Sequence, residues 1–420
     1  MKNLIRKFVP SFLISWYHLS LVFFGALIYR FPSKKLKIIG VTGTNGKSTV
    51  VNLTAKILEE AGYEVAAVSS IRFKIKKEEW PNTLKMTMPG RLKLQRFLRT
   101  ALNSGCQYAV IEVTSEGIIQ HRHKFIDFDV AVFTNLTPEH IEAHGSFERY
   151  KTAKGKLFKA LEKSSKKDKV SVVNLDDKNA DYFIGFSADK KIGYSLVQRS
   201  QNSIKANNVE ISAEGVSFLV EDTRFQLKLK GRFNVSNSLA AISVARSQNI
   251  NLEICKRALE KIDRVSGRME EVIKGPFSVF VDYAHTPDAL REVYSALPEN
   301  SRKICVLGSA GGGRDKWKRP EIGKIADEFC SRIILTNEDP YDEDPNKILS
   351  QVESGIKNRE FKKILDRKEA IREALASART GDVVIITGKG SEPWMCVGKG
   401  KKIPWDDRKI VKEEFKKLEI

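Results

Sequence analysis

Short runs of β-branched and other apolar residues alternate along this chain with longer stretches of helical period, and the alternation starts twice. Four to eight apolar residues between turn residues read as a buried strand, whereas apolar positions at i, i+3, i+4 and i+7 read as one face of a helix. The pattern predicts a strand from Ile38, a helix at 50–61, a strand at 64–69, a polar hairpin reaching Asn82, a helix at 91–104, and strands at 108–113 and 128–133. Residues 201–230 change to alternating short strands, at 216–220 and 225–229, which predicts an antiparallel appendage, followed by helices at 236–248 and 252–262. From Phe277 the pattern restarts: strands at 278–282, 303–308, 333–336 and 383–387 alternate with helices at 287–297, 320–329, 344–356 and 367–377. Such alternation predicts an α/β fold of mostly parallel sheets covered on both faces, with reactive groups at the carboxyl ends of strands.

The first 36 residues fit neither pattern. Lys2, Arg6 and Lys7 precede a mostly apolar run from Phe8 to Phe31 that Ser15, His18 and Ser20 interrupt. The run has the length of a marginal membrane span, but its polar interruptions predict a helix at an interface or in a groove, and no small-residue cleavage site follows it. At 420 residues the chain exceeds one ordinary core. The expected division is a helical segment at 1–36, a central unit at 37–264 and a Rossmann-like α/β unit at 265–420.

Composition narrows the partners. Hydrophobic content of 41% and charged content of 30% suit a globular protein. The net charge of +20, from 72 basic and 52 acidic residues, suits anionic small substrates or an anionic membrane surface. No basic run interleaved with aromatics stands out, so nucleic acid is not expected. Cys106, Cys255, Cys305, Cys330 and Cys396 are widely spaced, which predicts neither a zinc ribbon nor a disulfide framework and suits a reducing cytoplasm.

The densest chemistry lies in IIGVTGTNGKSTV at 38–50. Gly43, Thr44, Asn45 and Gly46 form a turn whose N–H groups can wrap phosphates. Lys47 can then reach the β- and γ-phosphates and Ser48 can hold Mg²⁺, with Thr49 beside it. The turn is a variant, because Val41 stands where the usual spacing has glycine, flanked by Gly40 and Gly43. A P-loop ATPase unit is the expectation. Glu112 ends an apolar strand and His140 lies just past another, so both can converge with Ser48 on a metal near the triphosphate.

Ten segments carry a resemblance: GVTGTNGKST at 40–49, EVTSEGIIQHR at 112–122, FTNLTPEHIEAHG at 133–145, YKTAKGKLF at 150–158, NLDD at 174–177, GRFNVSNSLAA at 231–241, GRME at 267–270, VDYAHTPDAL at 281–290, GGRDKWKRP at 312–320 and GKGSE at 388–392. In these the chain resembles the Mur ligase family of peptidoglycan synthesis, nearest the branch that forms the muramoyl tripeptide. The resemblance implies an ATP-dependent ligase: ATP phosphorylates a substrate carboxylate, and an amino acid's amine attacks the acyl phosphate. It implies Lys47 at the transferring phosphoryl group, magnesium on Ser48, Glu112 and His140, and Lys154 as a carbamate organising a second metal. Read alone, Lys154 in a helix with Lys151 and Lys156 equally fits a solvated lysine.

By the same resemblance Asn237, Arg268, Asp282, Tyr283 and His285 surround the nucleotide. Thr87, Ser115, Gln120 and Arg122 meet the muramoyl-peptide acceptor, which the resemblance implies is UDP-linked. Arg314, Asp339, Tyr341, Gly388 and Glu392 fall at the amino-acid site. Glu338-Asp339-Pro340-Tyr341 stands where family members using diaminopimelate have Asp-Asn-Pro-Arg, so the arginine for a distal carboxylate is replaced. The acids Glu338, Asp339, Asp342 and Glu343 suit a distal ammonium, which predicts lysine or another basic diamino acid. Glu116 and Ser391 replace family histidines, and the family's N-terminal uridine-binding domain has no room in 37 residues. The other readings are a related ligase on a lipid-linked, folate or cyanophycin-type acceptor, and a nucleotide-binding protein without turnover. The lipid-II amidating subunit carries a four-cysteine ribbon that is absent here. The expected location is cytoplasmic, at the inner membrane face if residues 1–31 make peripheral contact.

Overall fold

The computed structural model describes residues 10–84, 86–197 and 203–418. Lys2, Arg6 and Lys7, the first two positions of the apolar run and residues 201 and 202 lie outside the described residues. The first sheet has eleven strands: β1 (Lys37–Thr42), β2 (Val65–Val68), β3 (Arg72–Ile75), β4 (Glu78–Pro81), β5 (Tyr108–Glu112), β6 (Val130–Phe133), β7 (Val170–Asn174), β8 (Lys190–Ser195), β9 (Ser203–Ser212), β10 (Gly215–Val220) and β11 (Thr223–Leu227). Their order is β11-β10-β9-β8-β7-β6-β1-β5-β2-β3-β4. From β9 to β2 every pairing is parallel. The hairpins at either edge are antiparallel. The expected appendage is therefore the edge of this same sheet, because β9 pairs in parallel with β8 before β10 folds back.

Helices α1 (Ser11–Ile28), α2 (Lys47–Glu60), α3 (Arg91–Asn103), α4 (Ser115–Ile119), α5 (Ile141–His144), α6 (Phe147–Glu162), α7 (Ala180–Ile184), α8 (Phe233–Ser247) and α9 (Leu252–Glu260) accompany this sheet. Two cores result. Leu53 and Ile57 of α2 pack with Leu239 and Ile242 of α8 on one side, and Leu94 and Leu98 of α3 with Leu157 and Phe158 of α6 on the other. Helix α8 is buried along most of its length, small and polar residues such as Asn234, Ser238 and Ser243 included.

The second sheet contains β12 (Glu270–Lys274), β13 (Ser278–Val281), β14 (Lys303–Leu307), β15 (Arg332–Leu335), β16 (Phe361–Lys363) and β17 (Val383–Ile386), in the order β12-β13-β17-β14-β15-β16. Only β12 is antiparallel to its neighbour. Around it lie α10 (Pro287–Ser295), α11 (Lys318–Phe329), α12 (Pro345–Glu353), α13 (Arg367–Ala376) and α14 (Asp407–Phe415), with a ribbon of β18 (Trp394–Cys396) and β19 (Lys402–Pro404) before α14. Arg367 and Asp407 tie α13 to α14 through two hydrogen bonds of 2.8 and 2.7 Å, and neither side chain is exposed. Asp407→Ala leaves that buried guanidinium with the carbonyls of Asn337 and Thr387 but no counter-charge, and is expected to lower unfolding free energy by about 3–5 kcal/mol. A urea midpoint unchanged from wild type would contradict this.

One sequence expectation is corrected here. Cys305 and Cys330 form a disulfide across 25 residues of chain. The parallel pairing of β14 with β15 brings Cys305 opposite Ile333, close to the strand's approach through Cys330, and spacing alone carries no sign of that pairing. Cys106, Cys255 and Cys396 are free and buried.

Among the described residues no helix is long and apolar enough to cross a membrane. Helix α1 instead packs on α3, with Val22, Gly25 and Ala26 buried between them. Arg99 of α3 donates to Tyr29 O at 2.9 and 2.6 Å, satisfying a carbonyl at the end of α1.

Candidate functional site

Parallel pairing places the carboxyl ends of β1, β5 and β6 on one edge, so residues 43–49, 112–115 and 134–140 meet there. The turn after β1 requires glycine twice. Gly43 has φ 151° and a Cβ on it would lie 1.9 Å from Thr134 Oγ1; Gly46 has φ 82° and a Cβ would lie 2.4 Å from Asn237 Oδ1. Asn135 holds the turn, its carbonyl accepting from Thr44 N and its Oδ1 from Asn45 N, both at 2.8 Å. Helix α2 starts at Lys47 without a side-chain cap, leaving its first N–H groups for an anion. Gly43→Ala is expected to weaken nucleotide binding at least ~10-fold, about 1.4 kcal/mol. Calorimetric titration checks this, and an unaltered dissociation constant would refute it.

Ser48 is the centre of the site. Its Oγ donates to Glu112 Oε2 at 2.7 Å and lies 2.7 Å from Ser70 Oγ, while Ser70 N donates to the same carboxylate oxygen at 2.9 Å. Lys47 Nζ donates to Thr44 O at 2.8 Å and stands 4.0 Å from Glu112 Oε1. Burial pushes the Lys47 amine down and Glu112 opposes the shift. Arg268, at the approach to the second sheet, reaches Ser48 Oγ at 3.5 Å and Ser70 Oγ at 3.4 Å, with its guanidinium 4.3 Å from the centre of the Tyr283 ring.

Lys154 is buried, which removes the solvated alternative; Lys151 instead pairs with Glu148. Its Nζ donates to Gly43 O at 2.5 Å and sits 4.5 Å above the Tyr150 ring. Burial first, then Lys47, hold this amine well below the ordinary lysine value. His140, at φ 57° ahead of α5, is pushed down to about 2 by burial and by Arg314, Lys154, Lys318 and His285, so its imidazole is neutral and able to ligate.

Second-unit residues close the other side. Asp282 accepts from Met269 N and Ala284 N at 2.6 Å each, which fixes the turn carrying Tyr283 and His285. Asp315 accepts from Ile141 N at 3.0 Å and Glu142 N at 2.8 Å, and buried Lys318 donates to Glu139 at 2.8 Å. These bonds hold the His140 loop against the second unit.

The remaining candidates are more scattered. Ser115 is buried at the start of α4, and Thr87 is half-buried. Arg122 is not an open fork: it donates to Gln120 Oε1 at 2.7 Å and to Met88 O, and burial lowers it to about 10. Arg314 Nη1 lies 3.5 Å from Glu116 Oε1. Asp339 accepts from Lys389 Nζ at 2.9 Å on both oxygens and from Cys396 N at 2.7 Å. Glu392 accepts from Lys389 at 2.5 Å and from Tyr283 OH at 3.1 Å. Glu343 pairs with Arg319 and Asp342 accepts from Lys399 N, so the expected pool of acids for an ammonium shrinks to Glu338. Among the described residues its Oε2 is buried without a partner, packed so that a Cβ on Gly388 would lie 2.5 Å away, and burial with Asp339 pushes the acid up to about 7. Tyr341 takes φ 52° beside the Arg314 charge.

Sequence reasoning passed over Asn135, Glu139, Tyr150 and Lys389, although all lie inside the matched segments. Ser70 had only its position after a strand end to signal it. Among the described residues no three His, Cys, Asp or Glu side chains group as a metal site. Ser48 Oγ and Glu112 nevertheless offer the hard oxygen donors that suit a magnesium ion held partly by phosphates.

Known proteins resemble this chain in sequence and fold. A family model described as Mur ligase middle domain matches residues 41–245, and one described as Mur ligase, glutamate ligase domain matches 267–390. A UDP-N-acetylmuramoyl-L-alanyl-D-glutamate–2,6-diaminopimelate ligase of Caldanaerobacter subterraneus subsp. tengcongensis is 42% identical over 394 residues, covering 92% of this chain and 79% of the relative. A UDP-N-acetylmuramyl-tripeptide synthetase of Roseiflexus sp. is 36% identical, over 95% of this chain and 82% of its own. A solved structure of a diaminopimelate ligase aligns with TM-score 0.62 at 31% identity, over 92% of this chain and 79% of that one. Mycobacterium tuberculosis folylpolyglutamate synthase, solved with ADP and AMPPCP, aligns with TM-score 0.70 at 14% identity over 88% and 92%, a likeness of fold.

Proposed function

The chain belongs to the Mur ligase family and is an ATP-dependent acid–amino acid ligase, and from that premise we propose that it extends a muramoyl peptide by one amino acid, with a UDP-linked acceptor. The observation that carries the reading is the convergence on Ser48 of Glu112 and Ser70 from the first unit and Arg268 from the approach to the second.

The γ-phosphoryl passes from ATP to the acceptor carboxylate, the P–O bond to ADP breaking as the acyl phosphate forms; the amine then attacks the carbonyl and phosphate leaves. Lys47 and Arg268 would neutralise charge on the phosphates, and the N–H groups of Thr44 to Ser48 would orient them. Magnesium held by Ser48, Glu112 and His140 would supply further charge neutralisation. Lys154 suits carbamylation, because burial lowers its amine toward the uncharged form that adds CO₂ and Lys47 stands near to balance the resulting anion. Asn237, Asp282, Tyr283 and His285 would frame the nucleotide as the units at 37–264 and 265–420 close upon it.

The amine is inferred to come from lysine or another basic diamino acid. Tyr341 in place of an arginine and the unpartnered Glu338 oxygen support this, with Arg314 for the α-carboxylate. Tyr341→Arg is expected to raise kcat/KM for diaminopimelate relative to lysine at least ~10-fold, about 1.4 kcal/mol. The reading includes a cytoplasmic location and peripheral contact with the inner membrane face through residues 1–31. The experiment is phosphate release from ATP and Mg²⁺ with UDP-muramoyl-dipeptide, offering lysine, ornithine and diaminopimelate and weighing the products. A tripeptide mass supports the reading and names the residue; product with diaminopimelate only would overturn the choice of amine.

A further inference from the structure

Helix α1 is apolar over most of its circumference, with Ser15, His18 and Ser20 interrupting it, yet only one side of it is covered. Val22, Gly25 and Ala26 face α3, whereas Leu13, Trp16, Tyr17, Phe24, Leu27 and Ile28 face outward, each about half exposed or more. Their spacing traces one stripe along the helix. Phe23 stacks edge-on against Phe125 at 5.4 Å, and Leu92 of α3 is exposed next to Gly25, so the apolar surface runs beyond the helix itself.

Charge says what could cover it. Residues 1–58, 80–111 and 117–126, which include α1, α3 and the turn through Phe125, contain no Asp or Glu. Arg30, Lys34, Lys93, Arg96 and Lys124 within them are exposed. An apolar stripe beside exposed cations complements an anionic bilayer, with Trp16 and Tyr17 suited to the headgroup level. A second copy would set like charges against each other.

We propose that this face docks peripherally on anionic lipid, with α1 lying in the plane of the interface. Its covered side prevents it from crossing: α1 stays attached to α3, and its 18 residues span only about 27 Å. Ser15 Oγ lies 2.7 Å from His121 Nε2, beside Gln120 and Arg122, so docking holds the expected acceptor residues next to the membrane. The inference deepens the location given in the functional reading and rests on none of its chemistry.

The test is co-sedimentation of the full chain with vesicles of phosphatidylcholine alone or mixed with phosphatidylglycerol. Expected are binding to the mixed vesicles only, at least ~10-fold weaker binding in high salt, and loss of binding in Trp16→Glu with Leu27→Glu. Unchanged nucleotide affinity in that variant shows that it folds. Equal binding to both vesicles, no binding by the wild type, or a wild-type dimer in light scattering that Trp16→Glu dissociates would each overturn the proposal. Phosphate release by the same variants without vesicles reports separately on the ligase.

Discussion

Lys47→Ala is expected to lower turnover at least ~10³-fold, about 4 kcal/mol of lost transition-state stabilisation. The phosphoryl group in flight carries its charge on oxygens that protein cations must meet, and Lys47 begins α2 at the end of the glycine turn with its amine held by Thr44 O. Its loss leaves Glu112 still bonded to Ser48 and Ser70 N, so the loop keeps its support and the fold is expected to survive. Steady-state phosphate release against the wild type decides the matter, with thermal unfolding as the control. Activity within tenfold of wild type would remove Lys47 from the mechanism.

Lys154→Ala is expected to lower turnover by roughly 10²–10³-fold and to recover about tenfold with added formate or acetate. The logic is the burial: an amine that donates to Gly43 O, beside Lys47 and over Tyr150, is poorly placed as a cation but would be well placed as the anion that CO₂ addition would make of it. Lys154→Met separates this from packing. It fills the space, so it should be as inactive as alanine and gain nothing from small carboxylates. An active methionine variant would reduce Lys154 to a space-filler. Protonation competes with carbamylation, so acid and removal of dissolved CO₂ should both slow the wild type.

Much of this was legible along the chain. The strand into Gly43, the helix from Lys47 and the strand ending at Glu112 are local patterns, since a period of two or 3.6 and the demands of a phosphate turn act over a few residues. His140 was legible as a loop residue past a strand, but its neutral, buried state depends on Arg314 and Lys318 arriving from the second unit. Of the four acids read as suiting a distal ammonium, Asp339, Glu343 and Asp342 meet Lys389, Arg319 and Lys399 N, partners that the fold fixes and no local pattern shows.

The chain's own order of residues therefore set the two α/β units, the phosphate turn and the chemical types available to it, because hydrophobic period and turn chemistry are short-range. Which side of α6 Lys154 occupies, that Ser70 joins Ser48 and Arg268, that Cys305 meets Cys330, and that half of α1 stays uncovered were settled by packing. Burial and pairing between distant segments are sums over many neighbours, and no single stretch of sequence contains them.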